Sequence, residues 1–153
     1  MQDSDAGLAK NNTNLRIYAN DANRGKQIIF KELSYLITGL CFKVHNEMGH
    51  FCKEKQYADR FEELLRLNNI PYKREFDLKK LSSTTLLGNR VDFIINEQII
   101  LEFKAKRILT RDDYYQIRRY LRSANLRLGI IINFRKHFLR PKRVLNKLGN
   151  LPM

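Results

Sequence analysis

The 153-residue chain is poor in several residue types and patterns, and each shortage excludes a class of protein. Its two cysteines, Cys41 and Cys52, form no CxxC pair, so neither a zinc site nor a disulfide framework is expected. No apolar run approaches the roughly 18 residues of a membrane span, and the N-terminus has no apolar signal core. We therefore expect a cytoplasmic protein with reduced cysteines that does not enter a membrane.

Common enzyme patterns are also missing. The seven glycines form no phosphate-binding loop, and no Ser-His-Asp or Cys-His arrangement stands out. Of the three histidines, His45 lies on the apolar stripe of a predicted helix, which favours a packed histidine over a metal ligand. His50 and His137 belong to no pattern.

Acidic residues are scarce relative to basic ones. Sixteen Asp and Glu stand against 29 Lys and Arg, which gives a formal net charge of +13. Such a balance is typical of proteins that bind nucleic acid or an anionic surface. From Lys104 to Lys147 there are fourteen basic residues and two acids, and this excess argues against an ordinary solvated face. A basic module that docks an acidic protein is an alternative.

The basic residues after the central strands are the expected phosphate contacts, which would give a salt-sensitive affinity that does not depend on base sequence. For those on the third predicted helix, an ordinary charged helix exterior competes with this interpretation. The expected contacts are Arg111, Arg118, Arg119, Arg122, Arg135, Lys136, Arg140, Lys142 and Arg143.

Apolar periodicity predicts a single domain over residues 27–153, preceded by a polar, mobile N-terminal arm over residues 1–26. Val144 and Leu145 would anchor a further strand or helix in the basic tail. The order of elements predicts a layered mixed α/β or α+β fold, in which helices cover a sheet that contains a hairpin. The predicted helices span residues 28–48, 54–68 and 111–124, and the predicted strands span residues 72–78, 90–95, 98–106 and 127–134.

The hairpin from Val91 to Lys106 is the most informative segment, because it places charges in apolar strands. A buried charge without a partner costs several kcal/mol. If the turn takes the three residues 96–98, Asp92 faces Glu102 across the hairpin, and Lys104 shares that face. A two-residue turn would put the two acids on opposite faces. The prediction therefore requires the three-residue turn or a bulge.

Two carboxylates at this spacing repel each other unless a divalent cation lies between them. Oxygen ligands without His or Cys favour Mg²⁺ or Mn²⁺ over zinc. Such an ion would activate a water and polarise a phosphate, while Lys104 would orient the water or offset charge in the transition state. The pattern thus predicts cleavage of phosphodiester bonds. The alternative is a surface Asp–Lys ion pair, worth at most about 1 kcal/mol.

Motifs in order along the chain resemble the GxxExxY protein family, a branch of the PD-(D/E)XK nuclease superfamily, from about Leu33 to Asn146. Two positions depart from the family: its leading Gly is Phe51 here, and its usual Pro is His50. The matching motifs are Val44–Gly49, Glu54-x-x-Tyr57, Val91-Asp92, Leu101–Lys104, Gln116 with Tyr120-Leu121, and Leu128–Phe134.

The resemblance implies an α/β fold with a small central mixed sheet flanked by helices. It also implies a magnesium- or manganese-dependent nuclease with Asp92 and Glu102 as ligands, and the expectation favours DNA over RNA. A non-catalytic nucleic-acid-binding module on the same fold is the alternative. Dimerisation is left open, since many nucleases that cut both strands act as dimers.

The resemblance also implies roles for residues on two helices. Glu54 would be a helix-borne carboxylate at the metal, and its alternative is a first-turn Glu that stabilises the helix dipole by about 0.3–1 kcal/mol. A different path of the chain into the helix at Phe51 would move Glu54 away. Gln116 would contact water, phosphate or Lys104, or else only the backbone. Tyr57 and Tyr120 are expected in the core, with hydroxyls turned to the cleft.

Overall fold

The computed structural model describes residues 30–80 and 90–147. The predicted N-terminal arm, and most of the polar loop before the second strand, lie outside the described residues. A short 3-10 helix, Leu78–Lys80, follows the first strand. The other elements are α1 (Lys31–Met48), α2 (Glu54–Leu67), β1 (Tyr72–Asp77), β2 (Arg90–Ile95), β3 (Ile99–Lys104), α3 (Arg111–Ala124), β4 (Leu128–Asn133) and β5 (Lys142–Leu145).

The described residues form a five-stranded sheet in the order β1-β2-β3-β4-β5. Strands β3 and β4 are parallel and are joined through α3, whereas the other neighbours are antiparallel. This confirms the predicted α/β class with a small mixed sheet flanked by helices. The basic tail forms a strand, β5, in which Val144 is buried.

Local sequence signals set several helix ends. Gly49 ends α1 with a left-handed φ of 76°, and its N–H donates to the His45 carbonyl. Thr110 followed three positions later by Asp113 is a sequence pattern that predicts a capping box, and the structure shows this box at the start of α3. Helix α1 begins at Lys31 rather than at the predicted residue 28. None of the helices in the described part is long and apolar enough to cross a bilayer.

Two apolar layers cover the two faces of the sheet. The larger one packs α1 and α2 against one face, and its centre is a set of rings that includes Phe61, Phe93 and Phe103, with centroids 5.1–5.5 Å apart. The smaller one packs Ile117 and Leu121 of α3 against the other face. Burial of each large side chain stabilises the fold by about 1.5–3 kcal/mol. Since β2 and β3 contribute side chains to both layers, this packing fixes the charged hairpin on both faces of the sheet.

His45 belongs to the larger layer. Its ring is buried, and Nε2 lies 2.8 Å from the Lys136 carbonyl oxygen. The predicted packed histidine is therefore confirmed. This contact also ties the end of α1 to the loop that follows β4.

Candidate active site

The hairpin turn has the length that the prediction requires. Strands β2 and β3 are joined by three residues, and Ile95 pairs with Ile99. Asn96 and Glu97 both have left-handed φ angles, of 51° and 57°, which close the turn. The register continues to the pair Phe93 and Leu101, so one further step along both strands places Asp92 opposite Glu102.

At Asp92 and Glu102 the carboxylates take over the hydrogen bonds of the strand pair. The backbone N–H of Asp92 donates to Oε1 of Glu102 at 2.9 Å. The backbone N–H of Phe103 donates to Oδ2 of Asp92 at 2.7 Å. Each acid is thus fixed by the opposite strand, and the two carboxylates are held together at the end of the hairpin.

Both acids lie where a negative charge is unfavourable. Glu102 is only 5% exposed, and burial together with the charge of Asp92 raises the pKa of Glu102 to about 8. Burial, and then the charge of Glu54, also raise the pKa of Asp92, although the Phe103 N–H opposes this. The pair therefore favours either a proton or a cation at neutral pH.

Lys104 follows on the same strand as Glu102. Its Nζ donates to Oε1 of Gln116 at 3.1 Å and lies 3.9 Å from a carboxylate oxygen of Asp113. Of the three contacts predicted for Gln116, with water, phosphate or Lys104, the structure shows the one with Lys104. Asp113 was expected only as a helix cap, but it also bridges Lys104 and Lys106, whose Nζ lies 2.8 Å away. Its position three residues before Gln116 is the signal that sequence reasoning left unused.

The two site tyrosines differ in where their hydroxyls point. Burial and then the charge of Glu102 raise the pKa of Tyr120, whereas a hydrogen bond with Gln116 lowers it, so its hydroxyl faces the site. Tyr57 lies in the core as predicted, but its hydroxyl binds the turn before α2 instead of facing the cleft. Its hydroxyl donates to the Gly49 carbonyl at 2.6 Å and accepts from the Cys52 N–H at 3.1 Å, because the ring stacks inward on Phe134.

Glu54 is brought to the site despite the unusual turn at Phe51. It is the first residue of α2, and its Oε1 accepts from the Ala105 N–H at 3.2 Å, just beyond β3. Its charge also raises the pKa of both Asp92 and Glu102. The Tyr57 hydroxyl binds both ends of this turn, which explains how α2 keeps its place without the usual Gly.

A cavity of about 180 Å³ opens beside Asp92 and Glu54. Sequence reasoning missed one of its acids, Glu75 of β1, whose charge also raises the pKa of Asp92. Glu75 has a φ of 50° in the middle of a strand, a conformation that costs a non-glycine residue of order 1 kcal/mol. Beyond it Phe76 packs on the α3 layer. A positive φ carries no sequence signal at a Glu.

The donor set suits a hard divalent cation. Among the residues that the structure describes, no group of three or more His, Cys, Asp or Glu side chains is arranged to hold a metal ion. Mg²⁺, however, is commonly bound through one or two carboxylates, waters and substrate phosphate, rather than in a complete protein cage. The buried, mutually repelling pair of Asp92 and Glu102 fits that mode.

The predicted phosphate contacts lie on two surfaces. Arg111, Arg118, Arg119 and Arg122 are exposed on α3, and Lys136, Arg140 and Lys142 are exposed on the segment from β4 into β5. The Arg135 guanidinium lies 5.9 Å from the centre of the Phe51 ring. Arg143 donates to Oγ of Ser34 on α1 at 2.7 Å, which ties β5 to that helix.

A mixed sheet that carries Asp on one strand of a hairpin and Glu-x-Lys on the next defines a class, the PD-(D/E)XK fold. The superfamily's sequence model matches residues 31–144. The chain belongs to the PD-(D/E)XK nuclease superfamily. No curated protein matches it. Nor does any solved structure.

Proposed function

We propose that this protein is a metal-dependent nuclease that hydrolyses phosphodiester bonds, with DNA favoured over RNA. Membership of the superfamily supports the class, and members of it generally use divalent ions. The observation that carries the proposal is the buried Asp92–Glu102 pair beside Lys104 and Gln116. The ordered motifs further support assignment to the GxxExxY branch.

Asp92 and Glu102 would hold Mg²⁺ or Mn²⁺, with Glu54 at the rim of the site. When bound, the ion would lower the pKa of a water and polarise the phosphate. Asp92 and Glu102 are already positioned by backbone N–H groups, so little rearrangement is needed to bind a cation.

Lys104 supplies the positive charge of the site. Gln116 and Asp113 fix its ammonium group from α3. A fixed ammonium beside the scissile phosphate stabilises the charge that builds on the phosphoryl oxygens in the transition state. Gln116 holds Lys104 by its amide oxygen, and its amide N–H₂ group is suited to donate to a water or phosphate.

The direct test is cleavage of plasmid, linear duplex and single-stranded DNA, and of RNA, in Mg²⁺, Mn²⁺ or EDTA. Cleavage should occur with either metal and stop in EDTA. Asp92→Asn and Glu102→Gln should each lower the rate by at least about a hundredfold, because each removes a ligand charge. Glu97→Gln is the matched control, since Glu97 lies at the exposed turn of the same hairpin.

The control should cleave at the wild-type rate. Nucleic-acid binding by the wild type without cleavage under any metal condition would contradict the proposal, and would favour the non-catalytic binding module. Unchanged cleavage by Asp92→Asn would equally contradict the assigned site.

A further inference from the structure

A larger cavity, of about 430 Å³, opens near the candidate site at the carboxyl ends of β3 and β4. Asn133 in its wall is the parallel partner of Lys104. Partners in a parallel pair point to the same face of the sheet, and neighbouring strands lie about 5 Å apart. The cavity therefore begins one strand away from Lys104, on the face that α3 covers.

The lining combines apolar surface with positive charge. Ile108, Leu109, Tyr114 and Phe138 supply the apolar part. Phe138 is 71% exposed and Ile108 is 62% exposed, so large apolar side chains face solvent beside the candidate site. The remaining lining residues are Asn133, Lys136, His137, Arg140 and Lys142, and none of the described residues in the lining carries a carboxylate.

This chemistry matches a nucleotide better than an apolar peptide. Aromatic rings stack on bases, and cations around them bind the phosphates on either side. Asn133 can offer a base edge at most one amide N–H, because its oxygen already accepts from the Lys106 and Arg135 N–H groups and its nitrogen already donates one hydrogen to the Lys106 carbonyl. Recognition would therefore rest mainly on stacking, which tolerates any base.

We propose that this cavity binds an unpaired nucleobase of the strand held at the candidate site. A base inside a duplex has both faces covered by its neighbours and cannot enter, whereas an unpaired base exposes them. The inference rests on the proposed function and deepens it, since it names single-stranded or locally unpaired nucleic acid as the preferred substrate class.

The test measures binding to three labelled 20-mers in EDTA, so that no cleavage occurs: oligothymidine, a blunt duplex, and an abasic strand with the same phosphates. Oligothymidine should bind about tenfold more tightly than the abasic strand, the difference expected for a stacked base. Phe138→Ala should remove this difference. Tyr35→Ala is the matched control, because Tyr35 is 81% exposed on α1, across the sheet from the cavity, and it should keep the difference.

A direct readout comes from Phe138→Trp, since the chain contains no tryptophan. Oligothymidine should quench the fluorescence of this single indole, and the abasic strand should not. Equal binding of the two strands, or equal quenching by them, would overturn the proposal. A Phe138→Ala variant that loses affinity for polyglutamate but keeps its affinity for oligothymidine would also overturn the proposal. That result would assign the cavity to the binding of an acidic protein.

The two proposals fail in different ways. Suppose that the protein cleaves duplex DNA with metal but binds oligothymidine and the abasic strand equally. This result would support the nuclease assignment and contradict the base-binding cavity. Base-dependent binding and quenching without cleavage in any metal would support the pocket and contradict the nuclease assignment.

Discussion

At Glu102 the fold holds a carboxyl group where its ionised form is unfavourable. Its carboxyl group is buried beside Asp92, and its pKa is raised to about 8. Glu102 accepts one backbone N–H, from Asp92, and the positive charge of Lys104 lies nearby. Neither compensates for burial, so the protein retains a proton that an unfolded chain would release.

This proton links stability to pH. A raised pKa contributes stability that is present below the ordinary value of 4.5 and is lost as the pH rises through about 8. In EDTA, the melting temperature should therefore fall between pH 5 and pH 8, by about 4 °C for each kcal/mol of stability. In Glu102→Gln the fall should be smaller, because only the raised pKa of Asp92 still contributes to it. Thermal melts of both proteins at the two pH values would show the difference.

Added Mg²⁺ gives the complementary measurement. It should raise the melting temperature of the wild type more at pH 8 than at pH 5, because the cation replaces the proton. The titration of Asp113 does not contribute between pH 5 and pH 8. Burial raises the pKa of Asp113, but hydrogen bonds from Lys106 and the Thr110 N–H, together with the charges of Lys106 and Lys104, lower it below its usual value. Parallel curves for wild type and Glu102→Gln would contradict the assignment of a buried, protonated pair. Glu97→Gln should behave as the wild type does.

At the scale of elements, α3 carries Gln116 and Asp113 to Lys104, and its distance from the sheet decides whether they reach it. Gly129 of β4 permits the close approach. A Cβ atom there would lie 2.6 Å from Cδ1 and 2.8 Å from Cγ1 of Ile117, a buried residue of α3. The glycine therefore leaves the room that Ile117 occupies where α3 packs on the sheet.

Gly129→Ala should displace α3 and destabilise the protein by about 1–3 kcal/mol, as overpacking of a filled core does. Cleavage should fall as well, because Gln116 would no longer lie within hydrogen-bonding distance of Lys104. Gly39→Ala is the matched control: Gly39 lies within α1 with open space around it, and alanine there should be neutral or stabilise by up to about 1 kcal/mol. Urea denaturation measures both variants. Equal stability of the two would show that α3 is not held by this contact.

At the scale of the whole molecule, the sequence carries a formal net charge of +13. In the described part, the exposed cations near the candidate site lie on α3, the loop after β4, and β5. The acids of the described part pair repeatedly on the α2 side. Arg60 bridges Glu47 and Glu63 there, and Arg74 contacts Asp59 and Glu62. Positive charge is therefore least compensated around α3 and β5.

This asymmetry predicts which cations bind phosphate. Replacing Arg118 and Arg122 together with glutamine should weaken duplex binding uniformly across sequences, and should lower the slope of log affinity against log salt by about 0.9 for each phosphate that the variant no longer neutralises. The control pair, Lys31→Gln with Lys43→Gln, removes two exposed charges from α1 and should leave the slope nearly unchanged. Fluorescence anisotropy across a salt series measures both. A negligible wild-type slope would favour the basic module that docks an acidic protein.

Much of this protein was readable from the sequence because the signals are local. Apolar periodicity and short apolar runs predicted the strands, the spacing of Thr110 and Asp113 indicated the start of α3, and Gly49 indicated the end of α1. The hairpin required only its turn length to bring Asp92 opposite Glu102. Each of these depends on residues within a few positions of one another, or on one hairpin.

Only the tertiary structure decided the remainder. Glu54 meets the Ala105 N–H across 51 residues, Tyr57 turns its hydroxyl away from the cleft to hold the turn before α2, and Glu75 joins the acids through a kinked strand. The cavity beside Asn133 is assembled from α3, β5 and two loops. These arrangements follow from packing between segments distant in the chain, which no short sequence pattern records.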